Sequence, residues 1–330
     1  DLHYPLRRQR QMCIRDSHLT EKILACGHQV KILSRRHNQA VSEFEKRGAE
    51  ISIGEFSDIN LLKKSVDSAE TVVHLAGATK TLTENDMFKV NVDYTKNLLE
   101  ACNGKNIHFV YMSSQAAAGP AISPDKPVVE SDTPAPLTWY GKSKLAAENE
   151  ISKWGEENHN EFTIIRPPSV YGPGEKDIFA CFRLMKKHIS FSMGFKEKQL
   201  SVIYVKDLVS ATVHLIENVK PSGKTYFASS DGHYSWEELF SAIATAMGKN
   251  KYLKIKLPEI TAVPVAFFSE SIAKITKTPA LLNFQKIIEM KQDYWICSNY
   301  LLKSTGWEPS YSLEKGMKET VEWYLANNWL

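Results

Sequence analysis

"DMFKVNVDYTKNLLEACNGKNIHFVYMSS", residues Asp86–Ser114, decides the fold of this chain. Its first part has the apolar spacing of an amphipathic helix, and Gly104 stands where such a helix ends. Its last part contains "IHFVYM", a short apolar run typical of a buried strand, and two hydroxyl residues, Ser113 and Ser114, follow that run. A helix that leads into a buried strand predicts one repeating unit of a parallel sheet.

The same alternation of helix and strand extends outward in both directions. Three helix–strand pairs precede the opening stretch, from "HLTEKILACGH" with "QVKILSR" to "INLLKKSVDSA" with "ETVVHLAGA". After it, the helix "YGKSKLAAENEISKWGEE" leads into the strand "FTIIRPPSVYG". We therefore predict an α/β fold with a doubly wound parallel sheet, whose ligand lies beyond the carboxyl ends of the strands.

The alternation weakens after about residue 175, which indicates a second unit. From about Ser229 onward the sequence predicts helices joined by proline-containing connections. We assign residues 18–180 and about 195–228 to the sheet domain. Residues from about 181 to 194 and 229–330 are assigned to a smaller, mostly helical C-terminal lobe that binds substrate.

The composition argues against several classes of protein. A net charge of +3 is too small to indicate a nucleic-acid or anionic-membrane partner. The five cysteines are scattered and odd in number, so they predict neither a disulfide framework nor a metal site, and a reducing cytoplasm fits them. No apolar run reaches the roughly 18–20 residues that span a bilayer. "AVPVAFFSESIAKI", at Ala262–Ile275, is interpreted as a buried or substrate-facing helix, with membrane contact as the alternative.

Tyr140 and Lys144, in "YGKSK", are the strongest candidates for catalysis. Because they are four residues apart on a helix, their Cβ atoms lie on one face, about 5–6 Å apart. A tyrosine hydroxyl has an ordinary pKa of about 10, and a neighbouring ammonium favours the phenolate, so the phenol can act as an acid or base nearer neutrality. The preceding strand ends at Ser114, whose hydroxyl can donate a hydrogen bond to a substrate carbonyl.

The Tyr-x-x-x-Lys spacing alone does not establish a site, because Tyr252/Lys256 and Tyr311/Lys315 repeat it. The first of these pairs lies in "KYLKIKL", whose alternation predicts a strand, so its partners would not share a helix face. The second pair is far from any strand that ends in serine. Only Tyr140 combines the spacing with a serine at the end of a buried strand.

From about His18 to its end, the chain resembles the extended short-chain dehydrogenases/reductases, also called the NAD-dependent epimerase/dehydratase family. The resemblance rests on "VVHLAG", "NVDYTKNLLEAC", "YMSSQAAAG", "YGKSKLAAE", "RPPSVYGPG", "IYVKDLVSA" and "GWEPSYSLEKGMKETVEWY". It implies a Rossmann-type domain that binds NAD(P), and a catalytic triad of Ser114, Tyr140 and Lys144. Besides Tyr140 and Lys144, it implies cofactor contacts from two loops, one under the pyrophosphate and ribose and one beside the nicotinamide: Leu75, Ala76 and Gly77, and Pro167, Pro168, Ser169 and Val170.

The residues that follow the strand "KILS" bear on the choice of cofactor. Ser34, Arg35 and Arg36 stand at its end, with no acidic residue. An acidic residue there would bind the ribose hydroxyls of NAD, whereas arginine accommodates the 2′-phosphate of NADP. We predict that NADP(H) is preferred and NAD(H) possible; alternatively, the arginines only begin the next surface helix. "GEFSD" resembles the adenine-contacting turn of the family, which implies cofactor contacts from Glu55 and Phe56, although Glu55 stands where Asp is usual.

Three positions bear on the reaction. Ser114 is followed by Gln115 and three alanines, whereas dehydratases of the family usually carry an acidic pair there. Ser169 and Leu200 stand where nucleotide-sugar epimerases often have Asn and Arg. The resemblance therefore favours hydride transfer between nicotinamide and a secondary alcohol or ketone of a small organic substrate, with Tyr140 as acid/base. Two alternatives remain open: a nucleotide-sugar epimerase and a non-catalytic cofactor-sensing scaffold.

Other residues are candidates for the substrate pocket and for assembly. Ala116–Ala118 leave room for substrate beside the catalytic serine, although small residues equally permit tight packing. Four aromatic residues of the C-terminal lobe could line an apolar pocket or form its core: Phe267, Phe268, Trp295 and Trp307. In many relatives the helices that correspond to those from Asp86 and Tyr140 form a four-helix bundle, so the resemblance implies a possible homodimer.

The start of the chain departs from the family pattern, which has a strand and a Gly-x-x-Gly-x-x-Gly turn that binds the pyrophosphate. The first glycine here is Gly27, and Ile14, Arg15 and Asp16 stand where the turn should be. Their side chains would crowd the turn, and the carboxylate of Asp16 would repel phosphate. We interpret residues 1–17 as a non-native segment that replaces the first strand; the alternative is a natural family member that lost cofactor binding. The chain as written is expected to bind the cofactor poorly.

Overall fold

The computed structural model of the protein describes residues 14–276, 278 and 283–330. Its helices are α1 (Ile14–Ala25), α2 (Gln39–Lys46), α3 (Ile59–Ser65), α4 (Glu84–Phe88), α5 (Tyr94–Cys102), α6 (Gln115–Ala118), α7 (Trp139–Asn158), α8 (Phe179–Lys186), α9 (Val205–Glu217), α10 (Trp236–Ala246), α11 (Ala262–Thr276), α12 (Phe284–Lys291), α13 (Tyr300–Lys303) and α14 (Leu313–Ala326). Its strands are β1 (Lys31–Ser34), β2 (Glu50–Ile53), β3 (Thr71–His74), β4 (His108–Met112), β5 (Phe162–Arg166), β6 (Ser169–Tyr171), β7 (Ile189–Met193), β8 (Gln199–Leu200), β9 (Val202–Tyr204), β10 (Lys224–Phe227), β11 (Tyr234–Ser235), β12 (Leu253–Leu257) and β13 (Tyr294–Trp295).

The central sheet is divided into two parts. Strands β10, β5, β4 and β3 lie side by side in that order, and every pair is parallel. Strands β1 and β2 form a separate parallel pair, and within the described residues no ladder joins β1 to β3. Helices connect the successive parallel strands, as a doubly wound sheet requires. The predicted fold class is confirmed.

The two parts of the sheet share the same layers of helices. Leu33 of β1 and Val72 of β3 pack against one apolar cluster, which also contains Leu62 of α3 and residues of α5. Because consecutive residues of a strand point to opposite faces, Val73 belongs to the other layer, where it packs with α1 and α9. The helices on both faces therefore hold β1 and β3 in one layered domain.

The helix predicted from Asp86 onward contains a widened turn. Helix α4 begins at Glu84, because the side chain of Thr83 caps it by accepting a hydrogen bond from the backbone N–H of Asp86 at 3.1 Å. A π-helical turn over Lys89–Asp93 then separates α4 from α5. Such turns are rare within helices and are frequent at functional sites.

The C-terminal part combines helices with short strands. Helices α8, α10 and α14 enclose a large core that includes Phe182, Phe240 and Tyr324. Strand β7 pairs in parallel with β12, and β8 lies between β11 and β13. The strand predicted in "KYLKIKL" is confirmed as β12. Strands of two residues, such as β11 and β13, are too short to produce a periodic signal in the sequence.

Helix α11 is the structure formed by the most apolar stretch of the chain. Ala262, Ala266 and Ala273 are buried, whereas Pro264 and Phe267 are exposed. The helix is therefore amphipathic and not wholly buried. In the part of the chain that the structure describes, no helix has the length and hydropathy needed to cross a bilayer.

Candidate active site

Ser114 lies at the carboxyl end of β4 and caps helix α6. Its hydroxyl accepts a hydrogen bond from the backbone N–H of Ala116 at 3.2 Å. The backbone N–H of Gln115 donates to the carbonyl of Pro167 at 2.8 Å. This bond joins the turn after β4 to the loop after β5, so Ser114 and Pro167 lie at the same edge of the sheet.

Tyr140 lies in the first turn of α7, which packs closely against α6. A Cβ atom at Gly141 would overlap the backbone carbonyl of Ala116, so only glycine allows the two helices to approach this closely. The side chain of Thr138 caps α7 by accepting a hydrogen bond from the N–H of Gly141 at 3.2 Å. The close contact brings the start of α7, with Tyr140, beside the turn that contains Ser114.

Lys144 is buried one turn further along α7, and two acceptors hold its ammonium. Its Nζ donates to the carbonyl of Met112 at 2.8 Å and to the hydroxyl of Tyr111 at 3.2 Å. A Cβ atom at Gly77 would lie 3.3 Å from this Nζ, so the loop after β3 passes directly over the ammonium. Leu75 is half-buried, while Ala76 and Gly77 are exposed. The structure thus brings the 75–77 loop together with Lys144.

A directional chain of buried hydrogen bonds lies behind Lys144. The hydroxyl of Thr95 donates to the carbonyl of Asn91 at 2.8 Å, so it accepts from Nε2 of His74 at 2.9 Å. Burial, with the charge of Lys144 adding to it, lowers the pKa of His74 to about 3, so the imidazole is neutral and carries its proton on Nε2. Burial raises the pKa of Tyr111 well above its ordinary value, so the phenol keeps its proton. Tyr111 therefore offers Lys144 an acceptor oxygen.

Sequence reasoning missed the role of Asn91, although this residue lies in the "NVDYTKNLLEAC" motif. Its side chain accepts from the N–H of Ala78 at 2.7 Å and donates to the carbonyl of Ala78 and to the hydroxyl of Ser143, both at 2.9 Å. Asn91 thereby joins the loop after β3 to the residue that precedes Lys144. The available signal was an asparagine inside a predicted helix, where this residue is disfavoured unless its side chain has another partner.

A buried ion pair supports the strand ends from behind. Arg166 Nε donates to Glu148 Oε1 at 3.0 Å, Arg166 Nη2 donates to Oε2, and Ser113 donates to the same carboxylate. The two charged side chains are only 6% and 4% exposed. Because both charges are paired and hydrogen-bonded, they join β4, β5 and α7 without leaving an unpaired charge in the core.

The residues predicted to choose the cofactor lie on the two-stranded part of the sheet. Arg35 is half-buried and Arg36 is exposed, and neither makes an ion pair with a residue that the structure describes. The hydroxyl of Ser34 donates to the carbonyl of Arg36 at 2.9 Å and shapes the turn. Glu55 is exposed in the loop after β2. These groups are open to a ligand, at a different part of the sheet from the triad.

Phe56, which was predicted to contact the cofactor, has its ring packed inward. Its centroid lies 5.7 Å from that of His74 and 6.2 Å from that of Tyr94. Its backbone carbonyl accepts a hydrogen bond from Asn97 at 2.9 Å. The ring thus belongs to the aromatic layer around the buried hydrogen-bond chain.

The remaining candidates divide between the site and the core. Ser169 is exposed, and Pro168 and Val170 are half-buried, beside the buried Pro167. Ala117 and Ala118 are buried, so there the small side chains permit tight packing. Of the aromatic set, Trp307 lies in the core, Trp295 packs partly buried against the C-terminal core, Phe267 is exposed, and the side chain of Phe268 lies outside the described part of the structure.

The residues beside Lys144 fit the ribose of a nicotinamide dinucleotide, but the residues at the start of α1 do not fit its pyrophosphate. The exposed Ala76 and Gly77 beside the buried Lys144 ammonium fit a ribose and its hydroxyls. Helix α1 begins at Ile14 and has Asp16 in its first turn, without a glycine. The negative charge of a carboxylate at this position repels the phosphate that a helix N-terminus would otherwise attract. Residues 1–13 of the segment interpreted as non-native lie outside the described residues.

Comparison with known proteins agrees with this geometry. The NAD dependent epimerase/dehydratase family matches residues 17–228, and the chain belongs to that family. A ceramide reductase of Caulobacter vibrioides is 25% identical over 95% of this chain and 92% of its own length. A UDP-glucose 4-epimerase of Vibrio cholerae is 25% identical over 96% of this chain and all of its own length, 100%. The expected family membership is confirmed.

The fold is shared with solved structures of nicotinamide-dependent enzymes. The structure of dTDP-glucose 4,6-dehydratase from Bacillus anthracis, in complex with NAD, has a TM-score of 0.77 to this chain at 18% identity, and the match covers 96% of this chain and 94% of that one. As a member of the NAD dependent epimerase/dehydratase family, the chain belongs with the oxidoreductases of that type, and it shares the fold of the dehydratase that was solved with NAD.

Proposed function

We propose that this protein is an NADP(H)-linked reductase or dehydrogenase that acts on a secondary alcohol or ketone of an apolar substrate. The observation that carries the proposal is the Lys144 ammonium, which is buried and held one helical turn from Tyr140, beside the strand that ends at Ser114. This arrangement supports acid–base chemistry at a carbonyl oxygen.

In the proposed reaction the hydroxyl of Ser114 donates a hydrogen bond to the substrate carbonyl oxygen. The phenol of Tyr140 gives its proton to that oxygen during reduction and takes it back during oxidation. The ammonium of Lys144 stabilises the phenolate, and its bonds to Tyr111 and Met112 hold it in place. A nicotinamide nucleotide bound along the 75–77 loop would supply or accept the hydride.

The substrate class rests on two supports. Leu200 stands where nucleotide-sugar epimerases often carry arginine, and it is only 6% exposed within the C-terminal core, so it offers a nucleotide no charge. The similarity to a ceramide reductase over nearly the whole chain supports a lipid-like carbonyl substrate. A nucleotide-sugar epimerase is the second candidate, because the similarity to UDP-glucose 4-epimerase is equally extensive.

The catalytic assignment is tested with Tyr140→Phe, which removes the proton donor and keeps the ring. We expect kcat/KM for carbonyl reduction to fall by about 10²–10⁴-fold. Tyr300→Phe, at an exposed position of α13, is the matched control and should leave turnover unchanged. Unchanged turnover in Tyr140→Phe would refute the assignment.

Two further measurements separate the candidate functions. A reductase oxidises NADPH in proportion to the alcohol that it forms from a long-chain keto compound, whereas an epimerase interconverts UDP-glucose and UDP-galactose without net loss of cofactor.

We also propose that residues 1–17 replace a native strand and glycine-rich turn and that the chain as written binds cofactor poorly. A genomic read that encodes Asp1–Ser17 unchanged would overturn the replacement.

A further inference from the structure

The two-stranded sheet β7–β12 has one wholly apolar face. In a sheet, residues that are paired across the ladder point to the same side, and alternate residues along each strand share that side. The register pairs Leu253 with Ile189, and the positions two and four residues further along continue the same face. Its six side chains are Ile189, Phe191, Met193, Leu253, Ile255 and Leu257.

This apolar face is only partly covered. At one end Met193 packs against Ala262 and Ala266 of α11 and against Ile287 of α12. Along β12, however, the side chains of Leu253 and Leu257 are 63% and 39% exposed. Strand β12 pairs only with β7 within the described residues, so this face ends at a free sheet edge.

Neighbouring apolar side chains extend the open area. The N–H of Gly194 donates to the carbonyl of Leu257 at 2.8 Å, which brings Phe195 next to the end of β12. Phe195 is 72% exposed, Ile260 in the following short turn is 73% exposed, and Phe267 of α11 is 60% exposed. We call the following set the lobe surface: Phe195, Leu253, Leu257, Ile260 and Phe267. Large exposed apolar side chains grouped along one sheet and the adjoining turn and helix are typical of interaction sites.

Lysines border the lobe surface and give it a local positive charge, although the whole chain carries only +3. The carbonyl of His188 accepts from Leu253 at 2.8 Å, and the imidazole of His188 contacts the carbonyl of Lys251 and the Nζ of Lys249. The segment after α8 is therefore adjacent to the segment before β12. We call the following four lysines the basic rim: Lys186, Lys187, Lys249 and Lys251.

Three carboxylates near this surface already have partners, while the exposed Glu197 lies two residues from Phe195. Glu237 pairs with Lys254, and Glu259 and Asp293 pair with Lys198. By contrast, no lysine of the basic rim makes an ion pair with a carboxylate in the part of the chain that the structure describes. The positive charge of the rim therefore remains available to an anionic partner.

We propose that the lobe surface binds the headgroup layer of an anionic phospholipid bilayer, with the basic rim on the lipid phosphates. Exposed Phe, Leu and Ile side chains flanked by lysines are the combination that inserts into a membrane interface without spanning it. A second copy of this chain is the alternative occupant, and the test below separates it from the bilayer because a dimer through this surface would leave vesicles unbound. The inference does not require the proposed reaction, since binding is measured without turnover.

The test is sedimentation of the purified chain with vesicles. We expect binding to vesicles of phosphatidylcholine mixed with phosphatidylglycerol, little binding to phosphatidylcholine alone, and release at high salt, where charge interactions are screened. Absence of binding to the anionic vesicles overturns the proposal. So does equal binding to both kinds of vesicle, since the basic rim would then have no role.

Variants at exposed positions assign the binding to this surface. Leu253→Ser combined with Phe195→Ser should abolish it, and Lys251→Glu combined with Lys187→Glu should weaken it by about tenfold or more. The matched controls lie elsewhere on the exposed surface and should bind as the parent does: Leu325→Ser with Tyr300→Ser, and Lys220→Glu with Lys318→Glu. Loss of vesicle binding in the controls as well as in the test variants would overturn the assignment. So would a dimer of the parent chain that Leu253→Ser/Phe195→Ser dissociates, if neither the parent chain nor this variant binds vesicles.

Discussion

The four-stranded and the two-stranded parts of the sheet differ in burial. Every residue of β4 and β5 is buried, whereas β1 and β2 contain no fully buried residue. Strands β4 and β5 each have a neighbour on both sides, but β1 and β2 have only each other within the described residues. A strand enclosed on both edges and both faces is removed from water, so groups at its end are held firmly. The candidate chemistry therefore lies on the enclosed part of the sheet, and the candidate residues for cofactor choice lie on the open part.

The largest effect is expected when the same substitution, glutamate to glutamine, is made in both parts of the sheet domain. Glu148→Gln removes the charge that balances the buried Arg166, and we expect the free energy of unfolding to fall by about 3–5 kcal/mol. Glu45→Gln, at an exposed pair with His37 beside β1, should have no measurable effect. Urea denaturation measures both. Equal effects at the two positions would contradict the difference that we draw between the parts.

The second largest effect is a loss of stability in acid. His74 has its folded pKa lowered to about 3, so between that value and the ordinary 6.5 the unfolded chain binds the proton and the folded chain does not. The stability that the neutral, buried imidazole of His74 contributes is therefore present above pH 6.5. It is lost as the pH falls towards 3, by up to about 1.4 kcal/mol per pH unit.

The acid effect is measured as the pH dependence of urea unfolding. His74→Gln should flatten the curve between about pH 4 and 6.5, while His37→Gln, at an exposed position of the two-stranded part, should leave the slope unchanged. An identical slope in His74→Gln and the parent would show that the buried imidazole does not control it.

A smaller effect is expected on catalysis when the buried support of Lys144 is removed. Tyr111→Phe deletes one of the two acceptors that hold the Lys144 ammonium, so we expect kcat/KM to fall about tenfold and the pH profile of kcat/KM to shift. Tyr171→Phe is the matched control, because that phenol is also buried but has no hydrogen-bond partner among the described residues. A tenfold fall with an unmoved pH profile would indicate a structural effect only.

The smallest effect is expected on the open part of the sheet. Arg35→Ala combined with Arg36→Ala should raise the KM for NADPH about fivefold, leave the KM for NADH unchanged, and not alter unfolding. The ratio of the two KM values is the measurement, because the poor cofactor binding that we propose for the start of the chain would affect NADH and NADPH alike. Equal KM values for NADH and NADPH in the parent protein would contradict the NADP(H) preference.

Much of the fold could be predicted because its signals are local. Helical and strand periodicity placed the elements, and the Tyr140–Lys144 pair was visible because its residues are four apart on one helix. The π-helical turn at Lys89–Asp93 was not visible in the sequence. This turn contains Asn91, whose side chain is hydrogen-bonded to Ala78 and Ser143. Because Ser143 is far from Asn91 in the sequence, no short sequence window contains both residues.

Motif order and periodicity were thus enough to predict the family, the parallel sheet and the residues that carry the candidate chemistry. Only the three-dimensional arrangement decided how Lys144 is held, because its acceptors Tyr111 and Met112 lie on strand β4 and not on its own helix. It also decided that the sheet divides between β1 and β3, and that apolar side chains of β12 remain exposed beside lysines. The physical reason is that local pattern determines which face of an element is apolar, whereas burial and hydrogen-bond partners depend on which elements meet.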